Sequence, residues 1–374
     1  MIILFVSILG AIIFYEIYLR LTWDTKINGV PGMSLPHFTR VEVFKPNYNG
    51  WFAGQELKIN NLGFRDNEDF EIKKNHNTYR ILFLGNSITF GHGESFENTF
   101  PELFENRLKK WNSEINWQVW NLGFPGYGAN QVLNTIDELG PKYNPDLIIY
   151  SFYHNDIQTI DYLKIPKNKI LIKLKYFFKK NFYFYSKFRQ LYNNFRYGSN
   201  NTNNREISIM IDPKNKIYDE ELDFGSFEFD DEKFKFKHKN KPNIISNQNK
   251  ISKYNPSIEF PNNFNNFMSV IKKFKNYNDS KEYKIIVFLN IAPDIKKIKN
   301  NKGEEYQFTY GKAFEMNSFY INLFEKLNFF TISPYHSFSH YKPSEVPIAG
   351  GHSRAGANSV KAELIFEEFT KKIF

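Results

Sequence analysis

The chain contains no cysteine among its 374 residues. Disulfide bonds, thiolate nucleophiles and cysteine-ligated metal sites are therefore excluded. An acidic run at residues 219–221, with Asp223, is more typical of a solvated surface than of a metal site. We predict neither a metal nor a cofactor.

A nucleic-acid-binding motif and a repeat of fixed period are also lacking. The formal net charge is +9 and the pI is about 9.2. A basic surface raises the local concentration of any polyanion, but the lysines are scattered along the chain. The charge is therefore compatible with anionic glycans or lipid head groups, and we predict that the chain does not bind nucleic acid.

Charge is missing from residues 2–15, and the apolar stretch continues past Glu16 to Leu19. At about 1.5 Å per residue it is just long enough to cross a hydrocarbon core about 30 Å thick. No small-x-small cleavage site follows in residues 16–24. We predict an uncleaved transmembrane anchor over residues 1–21, with a signal peptide or a buried N-terminal helix as alternatives. Charges flanking the stretch do not decide its orientation.

A short apolar run at residues 81–84 ends at Gly85, and Ser87 follows. The run is too short and too continuous for an amphipathic helix, so we predict a buried strand. Gly85 permits a sharp turn that exposes the hydroxyl of Ser87 at the carboxyl end of that strand. A nucleophile belongs at such a position, although a plain turn serine has the same local sequence.

Three later segments favour the nucleophile. Residues 121–131 form a glycine-rich loop, residues 145–156 form a second buried-type strand that ends in polar residues, and residues 350–358 carry His352 ahead of a helical pattern. A serine, a glycine loop, an asparagine and a histidine supply a nucleophile, oxyanion donors and a base. Acyl transfer needs this set.

These segments resemble the four marker blocks of the SGNH (GDSL) hydrolase superfamily, whose order is serine, glycine, asparagine and histidine. The markers fall on Ser87, Gly126, Asn155 and His352, and Asn86 stands where the family most often has aspartate. The resemblance implies that Ser87 is the nucleophile and His352 the base. It also implies an oxyanion hole made of the backbone N–H groups of Ser87 and Gly126 and the side-chain amide of Asn155.

The match covers roughly residues 79–156 and 284–370. The chain is similar in particular to bacterial membrane-anchored members, which carry an Asn-x-x-Gly-Phe-Arg segment before the first strand, here from Asn60 to Arg65. The resemblance therefore implies an extracytoplasmic catalytic domain, either periplasmic or at the cell surface.

Strand and helix patterns alternate after Ser87. Helical spacing is present over residues 101–111 and 132–139, and we predict that the second helix ends at Gly140-Pro141. This alternation predicts a parallel sheet covered on both faces. The resemblance implies the same fold: a three-layer α/β/α sandwich of the SGNH or flavodoxin-like type, with an N-terminal transmembrane helix and a helical or irregular insertion.

The chain departs from the family pattern at the catalytic acid. The family usually has an aspartate two or three positions before its histidine, where this chain has alanine and glycine at residues 349–350. Either a Ser87–His352 dyad works with a backbone carbonyl orienting the ring, or Glu345 or Asp294 reaches in from a neighbouring loop. We favour the dyad, because neither carboxylate has the family's spacing to the histidine.

Residues 22–78 are predicted to form a juxtamembrane stalk or subdomain, and residues 79–374 a hydrolase domain interrupted at about 160–255. Within the insertion, residues 164–196 are basic and aromatic at once. We favour a helical insertion that packs its aromatics on the core over an interfacial helix on anionic lipid. Residues 199–250 are predicted to be a long loop.

We therefore expect a membrane-anchored serine esterase of the SGNH type. By resemblance it removes a small acyl group, acetyl above all, from a carbohydrate or cell-envelope ester. One alternative is an O-acyltransferase that uses the same serine and histidine on a sugar hydroxyl, and another is a catalytically inactive envelope-binding protein. The acyl group, the acceptor and the oligomeric state are not determined by the sequence.

Overall fold

The computed structural model describes residues 2–157, 168–197, 245–246, 254, 256–259, 261–300, 303–310, 312–346, 348–349 and 352–374. Most of the predicted loop at 199–250 and the whole acidic run at 219–221 lie outside the described residues.

The first 58 residues contain two helices and two small antiparallel hairpins. These elements are α1 (Ile2–Thr22), α2 (Thr25–Asn28), β1 (Ser34–His37), β2 (Val41–Phe44), β3 (Asn49–Phe52) and β4 (Gln55–Lys58). The hairpins bury Phe44, Leu57 and Ile59 in a small cluster that includes Phe90 of the following segment. Residues 22–78 are thereby packed against the turn that follows Ser87.

The remaining elements alternate mainly between strands and helices. Up to residue 152 they are β5 (Thr78–Gly85), α3 (Ser87–Phe90), α4 (Phe100–Trp111), β6 (Asn116–Asn121), α5 (Ala129–Tyr143) and β7 (Leu147–Phe152). The insertion and the segment after it contribute α6 (Lys169–Asn181), α7 (Tyr183–Tyr197), β8 (Ile245–Ser246), α8 (Pro256–Glu259), α9 (Pro261–Asp279) and β9 (Ile285–Leu289). The C-terminal part contributes β10 (Asp294–Asn300), β11 (Gly303–Tyr310), α10 (Lys312–Lys326), β12 (Phe330–Ile332), α11 (Tyr335–Phe338), β13 (Ile348–Ala349), β14 (His352–Ser353) and α12 (Ala355–Lys372).

Five strands form the central sheet in the spatial order β6-β5-β7-β9-β12, and every neighbouring pair is parallel. Numbered by chain order, these strands run 2-1-3-4-5, which is the flavodoxin-like order. The direction of winding changes between β5 and β7, and the gap at the carboxyl ends of two such strands is where ligands bind in open α/β sheets. The predicted α/β fold is confirmed.

Both faces of the sheet are covered, as the continuous apolar strands require. Ile81 and Phe83 of β5 pack in a cluster with α4 and α12, whereas Leu82 and Leu84 pack in a second cluster with α5, α9 and α10. Successive side chains of a strand point to opposite faces, so one buried strand supplies both clusters. The result is a three-layer α/β/α sandwich.

One predicted helix boundary is wrong. We predicted that the helix after the glycine-rich loop ends at Gly140-Pro141, but α5 continues through Pro141 to Tyr143. Pro141 lies in the last turn, where the missing N–H removes a single intrahelical hydrogen bond. The helix is capped by Asn144, whose backbone is left-handed with φ 46° and whose N–H donates to the carbonyl of Gly140.

Helix α1 is long and apolar enough to cross a membrane, and only Glu16 and Leu19 of it are buried. A secretory signal sequence has the same length and composition. Most of its apolar side chains are exposed, unlike those of a core helix.

Candidate active site

Ser87 follows the central strand β5, and the turn between them requires glycine at position 85. A Cβ placed on Gly85 would lie 2.2 Å from the Thr89 hydroxyl and 2.7 Å from the Ser151 carbonyl oxygen. The strand and the first helical turn can approach this closely only because Gly85 has no side chain. Ser87 then opens α3 at the carboxyl end of the sheet.

Asn86, the residue that departs from the family's aspartate, connects three parts of this edge. Its side-chain oxygen caps α3 by accepting the Ile88 N–H at 2.9 Å. Its side-chain nitrogen donates to Asn155 Oδ1 at 3.0 Å and to Asp156 Oδ1 at 2.8 Å. An aspartate at position 86 has no hydrogen to donate, and it would face the Asp156 carboxylate. The asparagine therefore complements the carboxylate that follows Asn155.

Asp156 is fully buried beneath this connection. Besides Asn86, the Tyr150 hydroxyl donates to its carboxylate at 2.8 Å. Burial raises the pKa of Asp156 to about 7, although the hydrogen bonds from Tyr150 and Asn86 act in the opposite direction. Asp156 thus orders the loop that carries Asn155.

Asn155 lies in a short 3-10 turn, His154–Asp156, directly after β7. Since its amide oxygen accepts the hydrogen bond from Asn86, its amide nitrogen is directed elsewhere. A primary amide offers two hydrogens at that nitrogen. This orientation suits Asn155 as a donor to an oxyanion.

The glycine-rich loop after β6 lies against the turn that carries Ser87. The Phe124 N–H donates to the Gly85 carbonyl at 3.1 Å, and the Asn121 side chain donates to the Thr89 carbonyl at 2.8 Å. Gly126 in this loop has φ +87°, and a Cβ there would meet nothing within 4 Å. The position therefore requires glycine for its backbone conformation and leaves the surrounding space open. The described hydrogen bonds do not use the backbone N–H of Gly126 or that of Ser87.

His352 reaches Ser87 from the other end of the chain. The distance between His352 Nε2 and Ser87 Oγ is 2.8 Å across a sequence separation of 265 residues. The histidine lies on the two-residue strand β14, which pairs with β13 and leads into α12. Two other histidines, His336 and His340, are exposed on the segment around α11. The structure therefore brings the predicted nucleophile and the predicted base into hydrogen-bond contact.

A second histidine lies beside this pair. The ring centroids of His92 and His352 are 5.0 Å apart, and the Phe52 ring packs on His92 from the N-terminal hairpin at 5.2 Å. Burial, followed by the charges of His352 and Arg354, lowers the pKa of His92 to about 3. His92 is therefore neutral at physiological pH and adds no second cation beside His352. The sequence offered no signal for this contact beyond the closeness of His92 to Ser87.

Arg65 is the last residue of the Asn-x-x-Gly-Phe-Arg segment. Its side chain binds the loop that follows Ser87. Its guanidinium is buried and donates to the carbonyl oxygens of Phe90, Gly91 and Glu94 at 2.8, 2.6 and 2.6 Å. It also stacks on the Phe90 ring, 4.8 Å from the centroid. The segment thus stabilises the loop that follows Ser87. The sequence resemblance alone did not explain this role.

The two candidate acids each accept a hydrogen bond from a backbone N–H. Glu345 accepts that of Lys342 at 2.7 Å, and Asp294 accepts that of Ala313 at 3.0 Å. No group of three or more His, Asp or Glu side chains suited to hold a metal occurs in the described ranges. The identity of the catalytic acid remains a prediction.

No protein-family model and no curated protein matches the chain. Among solved structures it is similar to a GDSL-like lipase from Bacteroides thetaiotaomicron, with 11% identity, a TM-score of 0.37, and coverage of 81% of this chain and 93% of that one. It is also similar to an acetyl xylan esterase from Geobacillus stearothermophilus, with 12% identity, a TM-score of 0.37, and coverage of 79% and 96%. A member of the lipolytic protein G-D-S-L family from Veillonella parvula has 12% identity, a TM-score of 0.35, and coverage of 78% and 99%.

Proposed function

We propose that this protein is a serine esterase of the SGNH type that hydrolyses small acyl esters. The contact of 2.8 Å between His352 Nε2 and Ser87 Oγ carries the proposal. It lies at the carboxyl edge of the sheet, beside the gap between β5 and β7 where such folds bind ligands. A serine hydroxyl reacts only when a base within hydrogen-bond reach takes its proton.

In the first step, Ser87 Oγ attacks the ester carbonyl carbon while its proton passes to His352 Nε2. The negative charge on the former carbonyl oxygen is stabilised by the N–H groups of Ser87 and Gly126 and by the Asn155 amide. The bond to the alcohol then breaks, and the imidazolium of His352 protonates the leaving oxygen. An acyl group remains on Ser87.

In the second step, water attacks the acyl carbon while His352 again takes a proton. Collapse of this intermediate releases the free acid and returns the proton to Ser87. The neutral state of His92 supports this cycle, because a permanent cation beside His352 would disfavour the imidazolium that forms twice.

The substrate we propose is a carbohydrate or cell-envelope ester with a small acyl group, acetyl above all. The motif resemblance around Ser87, Gly126, Asn155 and His352 supports this choice. We further propose that α1 anchors the protein with residues 79–374 outside the cytoplasm. The exposed apolar surface of α1 supports the anchor.

The test is hydrolysis of p-nitrophenyl acetate by the full-length protein in detergent micelles, with and without a glycan acceptor, beside Ser87→Ala. We expect free acetate that depends on Ser87 in both reactions. Acetylated glycan in place of free acetate would identify an acyltransferase instead. Absence of both products would contradict catalysis and favour a binding protein.

A further inference from the structure

A cavity of about 360 Å³ is lined in part by residues adjacent in sequence to Asn155 and His352. Its wall includes His154, which precedes Asn155, and Ser353, which follows His352. The steps proposed above use neither side chain. The cavity is therefore contiguous with the segments that carry the candidate site, but it is lined by a separate set of groups.

Lys361 of α12 is the unusual member of this lining. It is only 3% exposed, and its ammonium donates to Asn290 Oδ1 at 2.9 Å. It also lies 5.3 Å from the centroid of the Phe100 ring. Among the residues that the structure describes, no carboxylate is within ion-pair distance of this ammonium.

A buried ammonium without a counter-charge is costly. The penalty is several kcal/mol per ion after relaxation, and burial correspondingly lowers the pKa of Lys361 to about 7. An ammonium has three hydrogens to donate, whereas the described acceptor uses one. An apolar side chain at position 361 would avoid the cost, so the lysine is best explained by a ligand that it contacts.

The other charged and titratable groups of the cavity are Lys312, Asp294, His154 and Tyr153. Asp294 already accepts the Ala313 N–H, and burial followed by the charge of Lys312 lowers the pKa of His154 to about 4. Two lysines therefore face one carboxylate and a neutral imidazole. The rest of the lining is mainly apolar and includes Ile291, Pro293 and Met316.

We propose that this cavity binds a carboxylate carried by the ester substrate, with Lys361 as its main partner. The inference rests on the proposed esterase function. A volume of about 360 Å³ falls in the range of small-molecule sites, about 300–1,000 Å³. The apolar wall would contact the carbon skeleton while the ammonium takes the charge. The carboxylate is either on the sugar, as in a uronic acid, or on the acyl group, as in a succinyl ester.

Two pairs of esters distinguish these sources, each tested on the full-length protein in micelles. In the first pair, acetylated polygalacturonate carries the charge on the sugar, and acetylated xylan is its neutral partner. In the second pair, mono-p-nitrophenyl succinate carries the charge on the acyl group, and p-nitrophenyl butyrate is its neutral partner. We expect kcat/KM for the anionic ester to exceed that for its neutral partner by about tenfold in one pair. Lys361→Met should abolish that preference, while Lys371→Met, an exposed lysine on the same helix, should keep it.

Equal turnover of the charged and neutral esters by the wild-type protein in both pairs would overturn the carboxylate site. A preference that survives Lys361→Met would likewise remove Lys361 from it. Failure of the esterase proposal has a different signature, since no ester would then be turned over in a manner that depends on Ser87. Thermal unfolding of both variants verifies that they are folded.

A second, independent observation concerns the helices α6 and α7. Large apolar side chains on both are exposed, among them Ile170 at 68%, Phe177 at 52% and Phe188 at 68%. Lys173 and Lys175 are interspersed with them and also exposed. The favoured prediction, in which these aromatics pack on the core, does not describe this surface.

Hydrogen bonds join the bend between α6 and α7 to the carboxyl-terminal part of α1. The Glu16 carboxylate accepts the N–H groups of Tyr183 and Phe184 at 3.1 and 2.9 Å, which satisfies the first donors of α7. Arg20 donates to the carbonyl of Asn181 at 2.7 Å. The two helices are therefore attached to the carboxyl-terminal part of the candidate membrane helix.

We infer that the exposed face of α6 and α7 lies in the interfacial layer of the bilayer that α1 crosses. Apolar and aromatic side chains with interspersed lysines suit such a layer, where the lysines reach the phosphates. The lack of cysteine allows a direct test with one introduced label. Leu171→Cys and Ile72→Cys are matched, because both residues are exposed and apolar, but Ile72 lies near the amino end of β5.

Each variant is labelled with an environment-sensitive fluorophore and placed, as full-length protein, in nanodiscs that contain nitroxide-labelled lipid. We expect strong quenching of the label at position 171 and little at position 72. Equal quenching at the two positions would refute the membrane contact. Shielding at position 171 without nitroxide quenching, if it varies with protein concentration, would refute it in favour of a second copy of the chain.

Discussion

The proposed nucleophile, Ser87, and the proposed base, His352, are held in contrasting ways. Ser87 follows an eight-residue strand that ends at Gly85, and Arg65 binds the loop after it. His352 lies on a two-residue strand, and its ring is located by contacts with Ser87 and His92. The two halves of one reacting pair can thus differ in how much of the fold secures them. Substitutions around each half should therefore have different consequences.

The largest effect should come from the nucleophile itself. Ser87→Ala removes the attacking oxygen but leaves the packing of the turn intact, so we expect turnover to fall by on the order of 10⁴- to 10⁶-fold with unchanged thermal stability. Labelling by a fluorophosphonate probe should vanish with it. The control is Ser280→Ala, an exposed loop serine. Undiminished labelling of Ser87→Ala would disprove the assignment.

The next comparison concerns turnover after substitution of His352 and of the two candidate acids. His352→Ala should lower turnover to a similar extent, whereas Glu345→Gln and Asp294→Asn should have far smaller effects. Each of these carboxylates accepts a backbone hydrogen bond, and we predict a dyad in which a backbone carbonyl orients the ring. Loss of a true triad acid costs about 10⁴ in turnover. A loss of that size in either variant would refute the dyad and name the acid, with the exposed His336→Ala as reference.

The proposed oxyanion donor after the neighbouring strand β7 should have an intermediate effect. Asn155→Ala removes the amide that Asn86 orients, and we expect kcat to fall by about 10²–10³ while KM changes little. Steady-state kinetics on p-nitrophenyl acetate measure the split. Asn276→Ala, on an exposed face of α9, is the control. An unchanged kcat would remove Asn155 from the oxyanion hole.

Arg65 tests how far packing secures the nucleophile. Arg65→Met keeps much of the apolar volume but loses the three hydrogen bonds to the loop, so we expect kcat to fall by about ten- to a hundredfold through misplacement of Ser87. Hydrogen exchange of the amides at 90–94 should rise at the same time. Arg65→Lys should recover part of the activity. Faster exchange without loss of kcat would limit Arg65 to a stabilising role.

The smallest expected effect is a change in the free energy of unfolding. It concerns Lys361 on α12, the helix that follows His352. Lys361 has a folded pKa of about 7 against an ordinary value of 10.5, so between these pH values the folded state binds fewer protons than the unfolded state. Wild-type stability therefore rises with pH across this window. We expect Lys361→Met to raise the free energy of unfolding by about 1–4 kcal/mol near pH 7, and less as the pH approaches 10.5. Denaturant unfolding at several pH values measures this, and an unchanged pH slope would contradict it.

The sheet could be read from the sequence because its strands are continuous apolar runs punctuated by glycine and polar residues. Gly85 and the residues after β7 mark strand ends by local rules alone. The α/β fold followed from that alternation. The end of α5 was missed because a proline is tolerated in a last turn that tertiary packing supports.

The contacts around the site were less accessible from sequence. His92 contacts Phe52 of an N-terminal hairpin, and Arg65 binds a loop 26 residues further along the chain, so no local pattern encodes these contacts. Lys361 did carry a signal, since a lysine stands between Val360 and Ala362 on the buried face of a helix. The exposed aromatics of α6 looked like core residues because composition alone does not distinguish lipid from protein as a partner.

The wide separation of Ser87 and His352 has a consequence for folding kinetics. Strands β5, β6 and β7 pair within a short stretch of chain, whereas His352 must join Ser87 across 265 residues. Contacts of long sequence separation form slowly, because loop closure costs entropy before any contact repays it. During refolding, the sheet and the serine turn should therefore form while the base is still absent. Recovery of esterase activity should lag behind recovery of secondary structure.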